Sequence, residues 1–284
     1  MSYKNIRCVL VWLDGAFSSF NEKELYRDLD LSFINTLVGN GCAGRLLTLP
    51  NEGDNNEKTC FTSQQLFNQI LGFESNITLT NDLFKEQYSQ LVLKLFSNNN
   101  DIELKGGNEN RGVIDENTTP QQLFNFVESE YQKAKNCNDI ITVVHIKPKS
   151  ESINDRRDSL LFLNSFFKIL LESREKDAHD YYINLVCSYN RGSVDIATTT
   201  HSIPIPSTFN LPKPSTQFLN GKEVNPNKQS PLFAIYNHPI LTRKDETEVF
   251  NEEELLKGSN GSILLIQYLK ELAFKLNKVP KYGA

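Results

Sequence analysis

The 284-residue sequence has few of the residues that usually bind metals or form covalent cross-links. It contains five cysteines, an odd number, and no two of them form a CxxC pair. This pattern argues against a disulfide framework and against a zinc module, so we expect the cysteines to be small apolar residues of the core. Histidine is equally scarce, with four residues in the chain. A metal site that needs several histidines is therefore difficult to build from this sequence.

The sequence also lacks long apolar runs and an excess of positive charge. No apolar run reaches the 18 residues of a membrane span, and the first run, Cys8–Leu13, is too short for the core of a signal peptide. We therefore expect a cytoplasmic protein with no membrane span. The formal net charge is −5, from 30 Lys+Arg against 35 Asp+Glu, which does not favour a nucleic-acid partner. Walker A, HExxH and GxSxG motifs are all missing.

The apolar residues that are present alternate between two patterns. Continuous runs of strand length are typical of strands buried on both faces, and they cover Cys8–Leu13, Leu46–Leu49, Ile140–Ile146 and Tyr182–Cys187. Helical periodicity covers Leu25–Val38, Ser63–Leu71, a segment that begins at Pro120, Ser159–Leu171 and Ile263–Leu276. This alternation predicts an α/β fold in which helices cover both faces of a mostly parallel central sheet. We expect one domain over residues 1–284, with a polar loop or small excursion near residues 98–117 and a proline-rich loop over Ile203–Lys228.

Ligands of such sheets bind at the carboxyl ends of the strands, so polar residues at those ends are the candidate site. Asp14 directly follows the first apolar run, and is either a turn or helix-capping residue or a ligand of a cation. Ser63 begins a predicted helix, where it is either the N-cap or a nucleophile beside a bound phosphate. His145 ends the Ile140–Ile146 run beside Lys147, and a single histidine there is most often simply hydrogen-bonded.

Several of these segments together resemble one known family. LDG (13–15) is followed by FINTLVGNGCAGRL (33–46) and by SQQLFNQILGF (63–73), in which Ser63 lies nine residues before Gly72. Later come DIITVVHIKPKSESIND (139–155), NLVCSYNRGSVDIATTTHSIPIP (184–206) and GSNGSILLIQYLKEL (258–272). This order resembles the cofactor-independent phosphoglycerate mutases of the alkaline phosphatase superfamily. The resemblance implies an alkaline-phosphatase-like fold, a nucleophilic Ser63 and a pair of divalent cations.

The family's metal ligands are only partly present in this sequence. By resemblance, Asp14 and His201 match two ligand positions and Ser63 matches the nucleophile. The other four ligand positions are degenerate and carry Ser150, Asn154, Tyr189 and Asn190. Two divalent cations about 4 Å apart repel each other strongly and need carboxylates to offset that repulsion. A local shift of the alignment could restore an acidic ligand from Asp155, Asp158 or Asp195, but it could not restore a histidine.

These observations favour a non-catalytic, pseudoenzyme domain that acts as a scaffold or subunit of a cytosolic assembly, with an unidentified protein partner and no cofactor. The alternative is a metal-dependent phosphohydrolase or phosphomutase that keeps a reduced site. Ser63 would then be the nucleophile, Asp14 and His201 the residual ligands, and Mn or Zn the metal. A third interpretation is a phospho-ligand binder without turnover, in which the helix start at Ser63 serves as the anion site.

Overall fold

The computed structural model describes residues 6–18, 22–49, 61–134, 136, 139–176, 180–190, 218–219, 222–223, 230–236, 244–258 and 262–280. The ligand candidate His201 and nearly all of the proline-rich segment over Ile203–Lys228 lie outside these ranges. Among the described helices, none is both long and apolar enough to span a membrane.

Ten strands and eight α-helices follow one another along the described chain. The strands are β1 (Ile6–Phe17), β2 (Gly41–Leu47), β3 (Val92–Ser97), β4 (Arg111–Val113), β5 (Ile140–Ile146), β6 (Asp180–Tyr189), β7 (Phe218–Leu219), β8 (Lys222–Glu223), β9 (Leu232–Tyr236) and β10 (Ser262–Leu264). The helices are α1 (Lys23–Tyr26), α2 (Ser32–Gly39), α3 (Ser63–Ile70), α4 (Asn81–Gln87), α5 (Pro120–Lys133), α6 (Ile153–Lys176), α7 (Glu252–Lys257) and α8 (Leu265–Lys275).

Eight strands form one sheet in the order β10-β2-β9-β6-β1-β5-β3-β4. Every neighbouring pair is parallel except the two pairs that β9 makes with β2 and β6, which are antiparallel. A separate hairpin pairs β7 with β8. The predicted class, a mostly parallel central sheet, is therefore confirmed, and β1 lies at its centre.

Two apolar cores, one on each face of this sheet, explain the continuous apolar runs. Val9, Val11 and Leu13 of β1 pack into the core that α2, α5 and α6 cover. The alternate residues Cys8, Leu10 and Trp12 pack into the opposite core, beneath α3, α4 and α8. Because successive side chains of a strand point to opposite faces, a strand covered on both faces must be apolar throughout.

The segment from Leu25 to Val38, predicted as one helix, is instead two helices. Asp28 lies between them with φ of +56°, a backbone conformation that interrupts an α-helix. Contacts from α6 stabilise the interruption between the two helices, since Arg157 donates to the carbonyls of Glu24 and Arg27. Asn164 accepts hydrogen bonds from the first amides of α2. Long-range contacts therefore override the helical periodicity of this segment.

The polar segment near residues 98–117 is not only a loop, because it includes β4 at the edge of the sheet. Gly112 pairs with Phe96 of β3, and a Cβ on Gly112 would collide with the Phe96 ring. A three-residue strand with a glycine at its centre has too little apolar periodicity to be predicted from sequence.

The C-terminal segment Ile263–Leu276, predicted as one helix, begins as strand β10 and continues as α8. Its apolar residues exceed what the single stripe of a surface helix needs. Most of the excess is buried, because β10 extends the sheet and α8 packs on it through Leu265, Tyr268, Leu269 and Leu272. Phe274 is the exception, with 36% of its surface exposed.

We expect a Leu269→Ala variant to lower the free energy of unfolding by about 2–5 kcal/mol, because it leaves a cavity beneath α8. Leu269 is fully buried. The matched control is Phe274→Ala on the same helix, which should lower it by much less because Phe274 is partly solvated already. Urea unfolding of both variants checks this expectation, and equal losses would contradict the packing described for α8.

Candidate active site

The carboxyl end of β1 positions Asp14 between two neighbouring strands. Trp12 of β1 pairs with His145 of β5 and with Val186 of β6. Asp14 and Ser188 each come two residues further along, so they share the face of Trp12 and lie at the same edge of the sheet. Gly15 follows with φ of +79°, and a Cβ there would collide with the side-chain oxygen of Asn190. Only glycine therefore fits directly after Asp14.

Both carboxylate oxygens of Asp14 are occupied by protein donors. Oδ2 accepts a hydrogen bond from Ser63 Oγ at 2.5 Å, and Oδ1 accepts one from Ser188 Oγ at 2.8 Å. His145 Nε2 lies 3.4 Å from Oδ2. Only 6% of the surface of Asp14 is exposed. The side chain is a buried carboxylate held by two hydroxyls and one imidazole.

The ring of His145 connects Asp14 to Ser97. Nδ1 lies 2.8 Å from Ser97 Oγ, and Nε2 lies 3.4 Å from Asp14 Oδ2. Ser97 Oγ also donates to the carbonyl of Asn99 at 2.7 Å. His145 is fully buried, so both contacts of its ring are made inside the protein.

These contacts set the charge of Asp14. Burial alone would raise the pKa of its carboxyl, but the hydrogen bond and charge of His145, with the hydroxyls of Ser63 and Ser188, more than offset this. The net effect lowers the pKa of Asp14 below its ordinary value. Asp14 is consequently ionised at neutral pH in spite of its burial.

Ser63 is brought to Asp14 by the first turn of α3, and it is not the helix cap. Thr62 is the N-cap, because its hydroxyl accepts from the amide of Gln65 while the Gln65 side chain accepts from the amide of Thr62. This reciprocal pair is a capping box. The interpretation of Ser63 as an N-cap is therefore wrong, and its hydroxyl is directed at Asp14 instead.

Lys147 completes the cluster at its solvent side. It lies two residues beyond His145, past the end of β5, and its Nζ is 3.4 Å from Ser63 Oγ. The same ammonium forms an ion pair with Asp101. With 26% of its side chain exposed, Lys147 is more accessible than the three polar groups behind it.

The four degenerate ligand positions do not join this cluster as a set. Tyr189 does not face Asp14, because strand alternation turns it to the opposite face, where it packs against Phe17 with ring centroids 5.3 Å apart. Ser150 is exposed and donates to Asp155, and Asn154 is exposed in the first turn of α6. Asn190 alone lies beside the site, next to Gly15. The roles predicted for these residues and for Asp14 and Ser63 stay predictions.

Among the described residues, the groups around Asp14 do not fit a pair of divalent cations. They comprise one carboxylate, two hydroxyls and one imidazole. Within the described ranges, no three His, Cys, Asp or Glu side chains are grouped so that they could hold a metal ion. A two-cation centre needs several carboxylates to offset the repulsion between the ions, and Asp14 supplies only one.

Sequence reasoning missed Ser97, Ser188 and Asp101 and gave little weight to His145 and Lys147. Strand alternation was the signal that could have identified Ser188 in place of Tyr189, because Ser188 is the residue two beyond Val186. Ser97 and Asp101 carry no such signal, since Ser97 ends β3 and Asp101 follows it, and this strand lies outside the predicted runs.

The mostly parallel sheet, with helices on both faces and the Asp14–Ser63 contact at its strand ends, is an alkaline-phosphatase-like α/β fold. Solved structures share this fold. PH0037 from Pyrococcus horikoshii is 12% identical, with a TM-score of 0.58 over 100% of both chains. The cofactor-independent phosphoglycerate mutase from Thermoplasma acidophilum is 9% identical, with a TM-score of 0.50 over 96% of this chain and 99% of that one.

A third structure with the same fold is the C-terminal periplasmic domain of EcEptC from Escherichia coli. It is 8% identical, with a TM-score of 0.51 over 99% of this chain and 84% of that one. No protein-family model matches the sequence, and no curated protein matches it either. At identities this low, the comparisons establish the fold.

We expect Asp14→Asn to lower the free energy of unfolding by about 1–3 kcal/mol at pH 7, because it removes a buried, hydrogen-bonded charge. The lowered pKa of Asp14 fixes the sign of the pH effect. The contribution of the Asp14 carboxylate to the free energy of unfolding is complete above the ordinary Asp pKa of about 3.9. It is lost as the pH falls through the lower, folded-state pKa.

The difference between wild type and Asp14→Asn should therefore shrink below about pH 4, because the carboxyl of Asp14 takes up a proton in the unfolded chain before it does so in the folded protein. Urea unfolding between pH 3 and pH 7 measures this. The control Asp158→Asn, at an exposed position of α6, should differ from wild type by less than about 0.5 kcal/mol. A difference for Asp14→Asn that stays constant over this range would contradict the assigned charge.

Proposed function

We propose that this chain is an alkaline-phosphatase-like domain without two-metal catalysis, which acts as a scaffold or subunit of a cytosolic assembly. The observation that carries the proposal is the 2.5 Å hydrogen bond from Ser63 Oγ to Asp14 Oδ2. In a two-metal site the cations would activate the serine and bind the carboxylate. Here the hydroxyl and the carboxylate bind each other directly.

This contact leaves Ser63 a poor nucleophile. An attacking serine must lose its proton to a base, and the acceptor of this proton is Asp14. The lowered pKa of Asp14 makes it a weak base, so the proton stays on the hydroxyl. Phosphoryl transfer further requires positive charge on the phosphoryl oxygens. Lys147 is the cation beside Ser63 in the described cluster, and it is already paired with Asp101.

The cysteines support the cytosolic part of the proposal. Cys8 and Cys187 are buried and free of disulfide bonds. Burial raises the pKa of the Cys8 thiol to about 12 and also raises that of Cys187. Thiols with raised pKa values are unreactive, which suits residues that only fill the core of a protein in a reducing compartment.

A reduced, single-cation phosphohydrolase or phosphomutase is the second candidate. The observation that favours it is the convergence of Asp14, Ser63 and His145 within hydrogen-bond distance at the carboxyl end of the sheet. One Mn or Zn ion bound by Asp14, with His201 as a further ligand, would supply the missing charge. This candidate requires that the cation displace the proton of Ser63.

Turnover assays separate the two candidates. On the proposal, the purified protein shows no hydrolysis of an aryl phosphate and no conversion of phosphoglycerate that Mn, Mg or Zn stimulates, because Ser63 keeps its proton. Wild type, Ser63→Ala and Asp14→Asn should all give the same background rate.

The matched control for these assays is Ser165→Ala, at an exposed serine of α6. A metal-dependent rate that persists in Ser165→Ala but disappears in both Ser63→Ala and Asp14→Asn would show that the proposal is wrong and would establish the single-cation enzyme. Elemental analysis of the purified protein gives an independent measurement, since bound Mn or Zn at one per chain would also contradict the proposal.

A further inference from the structure

The ammonium of Lys147 contacts oxygen atoms of the kind that a hard metal cation binds. Its Nζ contacts the carboxylate of Asp101 and lies 3.4 Å from Ser63 Oγ. Ser63 in turn lies 2.5 Å from the carboxylate of Asp14. The ammonium of Lys147 therefore lies between the exposed carboxylate of Asp101 and the hydroxyl of Ser63, and that hydroxyl contacts the buried carboxylate of Asp14. Oxygen donors of this kind are those that Mg²⁺ and Mn²⁺ prefer.

Lys147 is also held in place more firmly than a surface lysine. The side-chain amide of Asn98 donates to the Lys147 carbonyl and accepts from the Lys147 amide, each at 2.8 Å. The loop that carries Asp101 is fixed in the same way, since the side chain of Asn99 accepts from the Asp101 amide at 2.6 Å. Both members of the ion pair therefore project from anchored backbone, which lowers the entropy cost of their contact.

We propose that Lys147 is a tethered cation that takes the place of a metal ion beside Ser63 and keeps divalent cations out of this site. The inference rests on the proposed function and adds the residue that makes the site independent of metal. A divalent cation that approached Ser63 would meet the ammonium at close range, and the repulsion between like charges opposes its binding. If the ammonium is removed, the carboxylates of Asp14 and Asp101 keep their negative charge and lack that counter-ion.

The experiment removes the charge of Lys147 and measures whether the protein gains the ability to bind a divalent cation. Lys147→Met preserves much of the side chain's length and deletes the ammonium, so it should bind Mn²⁺ at least about tenfold more tightly than wild type. Isothermal titration with MnCl₂ gives the affinity. Thermal unfolding gives a second readout, because Mn²⁺ should raise the melting temperature of Lys147→Met and leave that of wild type unchanged.

Four further variants make the result specific. Lys147→Gln also removes the charge but keeps a hydrogen-bond donor, so it should gain Mn²⁺ binding even if Lys147→Met does not fold. Lys147→Arg keeps the charge and should behave as wild type. Lys149→Met removes a lysine two residues away, whose exposed ion pair with Glu116 spans 3.2 Å, and should also behave as wild type. The double variant Lys147→Gln/Asp14→Asn should lose the gained binding, which places the cation at Asp14.

Wild type that binds Mn²⁺ as tightly as Lys147→Gln would overturn the inference, and so would the absence of any gain in both charge-removing variants. If neither charge-removing variant gains Mn²⁺ binding, while wild type has neither bound metal nor metal-stimulated turnover, the inference on Lys147 fails and the proposed function stands. Metal-stimulated turnover by wild type is the separate result that overturns the proposed function.

Discussion

The buried carboxylate of Asp14 is the constraint on which the rest of the site depends. A charge at the end of the central strand, with 6% of its surface exposed, must be satisfied by nearby donors. Each of those donors comes from a different element: Ser63 from α3, His145 from β5 and Ser188 from β6. The carboxylate therefore ties a helix and two strands to β1, and the positions of all three side chains follow from its need for partners.

The carboxylate of Asp14 also determines how Ser63 is placed at this edge of the sheet. Each of its oxygens accepts a hydrogen bond from a serine hydroxyl, Oδ2 from Ser63 and Oδ1 from Ser188. His145 contacts Asp14 from the interior of the protein, and the ammonium of Lys147 faces Ser63 from the solvent side. On the proposal made above, Lys147 supplies the positive charge at this site in place of a bound cation.

Much of this fold could be predicted from sequence, because strands buried on both faces are apolar throughout. Ile140–Ile146 was predicted with the bounds that the structure has, and β1 and β6 extend a few residues beyond the predicted runs. Elements without such runs were missed or altered. β4 depends on Gly112 beside Phe96, and the break between α1 and α2 depends on Arg157 and Asn164, which are distant in sequence. The proximity of Asp14 and Ser63 followed from a resemblance, while Ser188 required the strand register that only the structure provides.

The two hydrogen bonds between the Asn98 side chain and the backbone of Lys147 bear on where the sequence can vary among related chains. The Asn98 side chain bonds to both backbone groups of Lys147, and its backbone amide donates to the carbonyl of His145, so it adds one more rung to the β3–β5 ladder beyond the end of β3. These contacts hold the backbone of Lys147 directly after the end of β5. Because they do not involve the residues from Pro148 onward, we expect sequence variation among related chains to increase from that point.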